Sequence, residues 1–164
     1  MAEIIKTYKQ SIPALRFIGK KYTDEDRVDG SFGAKWGEWF QNGWFDALES
    51  LFDDEFIKIY EDGKAYIGLM KEVNDGFEYW VGMFAPEKTT VPNGYISIDY
   101  NEGELGVCWI YGSESEVYML EGQCGEKLEK EGFNICIDWC FERYACPRFT
   151  TPDDKGNIIL NYSR

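Results

Sequence analysis

Gly33-Ala-Lys-Trp-Gly-Glu-Trp-Phe-Gln-Asn-Gly-Trp-Phe-Asp-Ala-Leu-Glu-Ser-Leu-Phe52 carries its large apolar side chains at helical steps. Trp36, Trp39, Phe40, Trp44, Ala47, Leu48, Leu51 and Phe52 recur at intervals of three and four. Lys35, Glu38, Gln41, Asn42, Asp46 and Glu49 fill the opposite side, so the spacing predicts one amphipathic helix over 33–52. Upstream, after a short N-terminal tail, Ile12-Pro-Ala-Leu-Arg-Phe-Ile-Gly19 continues through Lys20-Lys21-Tyr22 and reads as the first strand. Downstream, 64–71 and 77–84 are rich in β-formers, and the Asp75-Gly76 step between them is a hairpin signal.

The second half restarts the same order. After a loop over 86–93, residues 95–100 and 105–111 read as one long bent strand or a tight strand pair, broken at Asn101-Glu-Gly-Glu104. Ser113 followed by Glu116 fits a capping box, and Val117, Leu120, Cys124 and Leu128 keep one side of a helix apolar to about Lys130. Gly122 and Gly125 inside it each cost about 1 kcal/mol relative to Ala. Strands over 135–144 and 157–162 complete the chain. Strand–helix–strand–strand therefore occurs twice, in halves of about 12–84 and 94–162 within one domain over 1–164. The expected fold class is α+β, a pseudo-twofold repeat with a largely antiparallel sheet and a central cleft.

Composition narrows the function. The 30 Asp and Glu against 17 Lys and Arg give a net charge of −13, a field that repels phosphate backbones and anionic lipid and favours cationic partners. The absence of histidine removes Ser-His-Asp and Cys-His catalysis and every His-containing metal site. Acid–base work is left to carboxylate, Tyr, Lys and Cys. The aromatic share of 17% exceeds what a core alone ordinarily uses and points to a ring-lined pocket or interface. Five cysteines, Cys108, Cys124, Cys136, Cys140 and Cys146, match no zinc spacing and read as reduced thiols. No apolar run approaches the ~20 residues that span a bilayer. A cytoplasmic protein with no cofactor and no metal is expected.

Alternation along Cys140-Phe-Glu-Arg-Tyr144 puts Cys140, Glu142 and Tyr144 on one face of a strand and Trp139, Phe141 and Arg143 on the other. Two readings of Glu142 stay open. It faces a partly dry cleft, where it pairs with a cation or acts as an acid or base, or it pairs with Lys or Arg on the solvent face. Tyr66, Tyr79 and Trp109 fall within strands and Trp36 and Phe40 on the apolar side of the helix, and rings around an acid hold flat or cationic ligands.

These residues carry a family resemblance. The opening strand, Lys35-Trp-Gly-Glu-Trp-Phe40, Phe77-Glu-Tyr-Trp-Val-Gly82, Val91-Pro-Asn-Gly-Tyr95, Phe141-Glu-Arg-Tyr144 and Ile159-Leu-Asn-Tyr162 follow one another as in GyrI-like small-molecule-binding domains. The chain resembles them from Ile12 to Tyr162. Such domains also serve as effector-binding domains of bacterial AraC-type and MerR-type multidrug regulators. The resemblance implies that Glu142 is the ligand-facing acid, with Trp36, Phe40, Tyr66, Tyr79, Trp109, Tyr144 and Tyr162 as aromatic walls. It further implies a stand-alone binder of hydrophobic, cationic, drug-like molecules, a sensor or sequestering protein with no DNA-binding segment. The alternative implied by similar stand-alone members is a metal-independent hydrolase of strained cyclopropane-type electrophiles, with Glu142 as its acid.

Overall fold

The computed structural model describes residues 1–60, 62–74, 76–133 and 139–164. Eight strands form one antiparallel sheet: β1 (Glu3–Ile12), β2 (Leu15–Thr23), β3 (Tyr66–Val73), β4 (Gly76–Pro86), β5 (Ile96–Tyr100), β6 (Gly103–Gly112), β7 (Trp139–Tyr144) and β8 (Ile158–Ser163). Their spatial order is β1-β6-β8-β7-β3-β4-β2-β5. Reading that order from either end gives equivalent strands of the two halves, so a pseudo-twofold axis passes between β3 and β7. The first strand of each half is exchanged: among the described residues β1 pairs only with β6, and β5 only with β2.

The sheet is strongly curled. Adjacent strands lie about 4.8 Å apart, so β5 and β7, four steps removed, would be ~19 Å apart in a flat sheet. Yet the rings of Tyr100 and Trp139 on those strands have centroids 4.5 Å apart. Two-residue links, Pro13-Ala14 and Asn101-Glu102, join strands from opposite ends of the order, which only a curled sheet permits. The enclosed inner face holds Phe17, Leu69, Trp80, Phe84, Val107 and Phe141. α3 (Asp54–Ile59) plugs it with Phe56, beside Tyr60. The other face is covered by two separate helical groups. α1 (Gly33–Asn42) and α2 (Trp44–Glu49) lie over the first half, and α4 (Glu114–Val117), a 3₁₀ turn over Tyr118–Leu120 and α5 (Glu121–Lys130) over the second. No helix among the described residues is long and apolar enough to cross a membrane.

Several expectations are corrected. The N-terminal tail is strand β1: its exposed residues include Glu3, Lys6 and Lys9, because an edge strand is open to water along one side. The expected first strand is cut at Pro13, which has no amide hydrogen to extend a ladder. The helix over 33–52 breaks at Gly43, whose left-handed φ of 66° ends α1 and starts α2. Residues 95–111 are neither one bent strand nor a tight pair, since β5 and β6 lie on opposite sides of the sheet. Ser113 does not close a capping box; its hydroxyl donates to Glu116 Oε2 at 2.9 Å. The unexpected α3 is capped by Asp53, which accepts from the Phe56 amide at 3.1 Å. Asp75 of the expected turn and 135–138 of the expected seventh strand lie outside the described residues, as does Cys136.

Candidate functional site

Between the two helical groups the covered face is open above β3 and β7. On that face the register sets Tyr66 opposite Tyr144, Gly68 opposite Glu142 and Met70 opposite Cys140. Gly68 is there for space: a Cβ would lie 2.6 Å from Tyr79 Oη and 3.4 Å from Trp36 Cζ2. Without it, Trp36 comes down onto the sheet, and its Nε1 donates to Tyr79 Oη at 2.9 Å. The opening is a cleft of about 770 Å³, the size of a drug-molecule site.

Its walls come from both halves. Trp36 and Phe40 project from α1 and Tyr66 from β3; Tyr118, Tyr144 and Phe149 come from the second half. Tyr144 meets Trp36 edge-on at 4.9 Å and Phe149 at 4.7 Å, so it forms the junction. Tyr66 stacks on Phe45 at 3.8 Å and donates to Glu49 Oε1 at 2.7 Å. Among the described residues, Glu49, Asp62 and Glu114 line the cleft against one cation, Lys64. Asp62 is itself ion-paired with Arg148.

Glu142 does not line this cleft. It lies beneath the floor with 5% of its surface exposed, and the Tyr144 hydroxyl donates to its Oε2. Tyr118 hydrogen-bonds Tyr144 in turn. On the far side Glu142 hydrogen-bonds Glu121, the first residue of α5. Burial is the largest effect on both acids and pushes both carboxyl pKa values up. The charge of Glu142 raises Glu121 further, whereas the bonds from Tyr144 and Glu121 hold Glu142 back, so the pair keeps a proton that two separate carboxylates would lose. Burial and then the Glu142 charge also raise the Tyr79, Tyr118 and Tyr144 phenols, which stay protonated donors. Arg143 points to the inner face, where it donates to Gln10 Oε1 at 2.5 Å and Ser163 Oγ at 2.9 Å.

Of the residues singled out in the sequence, Trp36, Phe40, Tyr66 and Tyr144 meet at the cleft. Tyr79 lies one layer deeper, stacked on Phe32 at 4.3 Å, and Tyr162 is buried beside Cys140 under the second helical group. Trp109 stands on the inner face, between Tyr8, Lys6 and Arg148, with the sheet separating it from the cleft. Glu121, Tyr118, Glu114 and Phe149 are additions that sequence reasoning missed. The signal was available: Glu114, Tyr118 and Glu121 follow at i, i+4 and i+7, one stripe of a helix.

No protein-family model matches the chain, and no curated protein matches its sequence. Solved structures do share its fold. One is SAV2435 bound to tetraphenylphosphonium, with a TM-score of 0.69 and 14% identity over 97% of this chain and 92% of that one. Another is a Staphylococcus aureus MU50 protein assigned to bacterial transcription regulation, with 0.66 and 15% over 97% and 96%. A third is a Listeria innocua hydrolase encoded by lin2189, with 0.54 and 12% over 96% and 90%. At these identities the likeness speaks for the fold alone.

Proposed function

We propose that the chain is a GyrI-like ligand-binding domain whose cleft takes up hydrophobic organic cations, as a sensor or sequestering protein. One observation carries the reading: a ring-walled cleft of drug-molecule size whose floor, Tyr144, is hydrogen-bonded to a buried glutamate. Rings supply apolar area and cation–π attraction of ~0.5–2 kcal/mol each. Glu142, in low dielectric one hydroxyl below the floor, supplies a charge that water screens weakly. Neither component alone selects a lipophilic cation; together they reject both small hydrated ions and anions. The tetraphenylphosphonium held by SAV2435, a protein of the same fold, belongs to that class.

A thermal-shift titration tests this reading. Tetraphenylphosphonium at 100 times its dissociation constant adds about 2.7 kcal/mol of stability. Glu142→Gln weakens that cation about tenfold or more, a loss of ~1.4 kcal/mol, while neutral triphenylphosphine oxide keeps its affinity. Equal affinity of the variant and the parent for the cation removes the role given to Glu142.

The hydrolase reading draws on a separate observation, the Glu121–Glu142 pair, two hydrogen-bonded carboxyls whose pKa values burial raises so that they hold a proton between them. A protonated acid beside a carboxylate is the equipment for opening a strained ring: one protonates the leaving carbon while the other draws a proton from the attacking water. Repeated turnover of an activated cyclopropane, followed by mass spectrometry and lost in Glu142→Gln, supports it. Stoichiometric binding without product removes it for that substrate.

A further inference from the structure

Glu142 and Glu121 approach each other from the two sides of an otherwise apolar layer, one from the centre of the sheet and one from the first turn of α5. Side chains from several elements surround them. On β7, Cys140 and Tyr144 flank Glu142; β8 contributes Tyr162 and β4 contributes Tyr79. The 3₁₀ turn contributes Tyr118, α4 contributes Glu114, and α5 contributes Cys124 with Cys108 of β6 behind it. Arg164, at the end of the chain, acts on Cys140 and Tyr162. The bond to Cys108 and burial hold the Cys124 thiol neutral, and burial does the same for Cys140 and the phenols. With Glu114 exposed at the cleft wall and Arg164 on the Cys140 side, charge inside the layer is set by the protons held between the two carboxyls. Glu121 Oε1 is buried and has no hydrogen-bond partner among the described residues, so the second acid is not fully satisfied. The cleft floor, Tyr144, joins this pair to whatever rests on the rings above it.

Resting on the cation-binding reading above, we propose that Glu121 is the second acid of the site and that the pair takes up a lipophilic monocation in exchange for one proton. With both carboxyls protonated the layer adds no negative charge to that of the acids on the cleft wall. Loss of one proton leaves a single negative charge shared over two carboxyls and steadied by the Tyr144 hydroxyl. A monocation neutralises that charge without solvent. A dication would require the second proton to leave as well, placing two negative charges side by side in low dielectric. The site therefore selects one positive charge, and its occupancy is linked to pH.

Calorimetry with tetraphenylphosphonium tests the proposal, because this cation carries a fixed charge and any proton released must come from the protein. Titrations in buffers of different ionisation enthalpy give the number of protons released as a slope. The expected slope approaches one proton at about pH 6 and declines toward zero as pH rises, with affinity gaining up to about tenfold per pH unit over the acidic part. Glu121→Gln keeps a hydrogen-bond donor beside Glu142, and it is expected to bind the cation with little proton release and a flat pH profile. Binding by the wild type with zero slope throughout overturns the exchange and leaves the cation site standing. Undiminished release by Glu121→Gln likewise overturns the role of Glu121. No binding by the wild type, of tetraphenylphosphonium or of a planar dye such as ethidium, overturns the cation-site reading and the exchange with it.

Discussion

The two helical groups cover equivalent halves of one pseudo-symmetric sheet with different materials. Beneath α1 and α2 the packing is aromatic: Phe32, Trp39, Phe45 and Tyr79 are buried, with Trp36 and Trp44 against them. Beneath α4 and α5 it is aliphatic and thiol-bearing, with Ile110, Val117, Leu128, Ile158 and Leu160 around Cys108 and Cys124. The acids divide the other way, since Glu121 and Glu142 both belong to the second half. Backbone symmetry thus builds the opening, rings from both halves wall it, and side-chain asymmetry puts the paired acids beneath it on one side only. A cleft at a symmetry axis joins unlike surfaces without any loop having to reach across.

This contrast is broken most directly by Trp39→Ala. Trp39 is fully buried, donates to Tyr22 Oη at 3.0 Å and contacts Phe45 at 4.6 Å. A loss of about 3–5 kcal/mol in chemical denaturation is expected, because the cavity opens where rings from α1, α2 and β2 converge. A loss below ~1 kcal/mol would mean that the aromatic layer is loosely packed.

Glu121→Gln tests the other half. Both carboxyl pKa values are raised in the folded state, so the stability they contribute is present below the ordinary carboxylate range and is lost as pH rises through the folded values. Wild-type stability is expected to fall from about pH 5 toward pH 9, and the variant to fall less, ending about 1–3 kcal/mol above the parent at the alkaline end. Parallel melting-temperature profiles for the two proteins would show that the carboxyls are not under strain.

Phe40 is 59% exposed at the cleft mouth. Phe40→Ala is therefore expected to change stability by less than about 0.5 kcal/mol, yet to weaken cation binding roughly two- to fivefold, the value of one exposed cation–π contact. The smallest effect is reserved for Trp109→Phe. With the sheet between it and the cleft, it is expected to leave the affinity for tetraphenylphosphonium unchanged in the same titration.

Much of this was legible in the sequence. Period-two alternation put Glu142 and Tyr144 on one face, and helical spacing put Trp36 and Phe40 on one side of α1. Alternation says which residues share a face, not which face meets the cleft, and that is why Trp109 was grouped with them. The face of β6 is decided by its pairing with β1 and β8, residues at long sequence separation. Glu121 was not singled out, because helical spacing marks the apolar side of that helix and has no access to the curl of the sheet beneath it. β1 carried too many charges to look like a strand until its partner β6 was known.

The exchanged first strands have a consequence for how the molecule is made whole. A chain cut in the loop between β4 and β5 would leave one piece with β1 lacking its partner β6, and another with β5 lacking its partner β2. Each piece alone would present bare ladder groups on several strands, a template for aggregation. Mixed, the two pieces supply each other's missing strand twice over, from opposite ends of the sheet. Cut there, the chain is expected to behave as a complementing pair, in which the cleft forms only when both pieces are present.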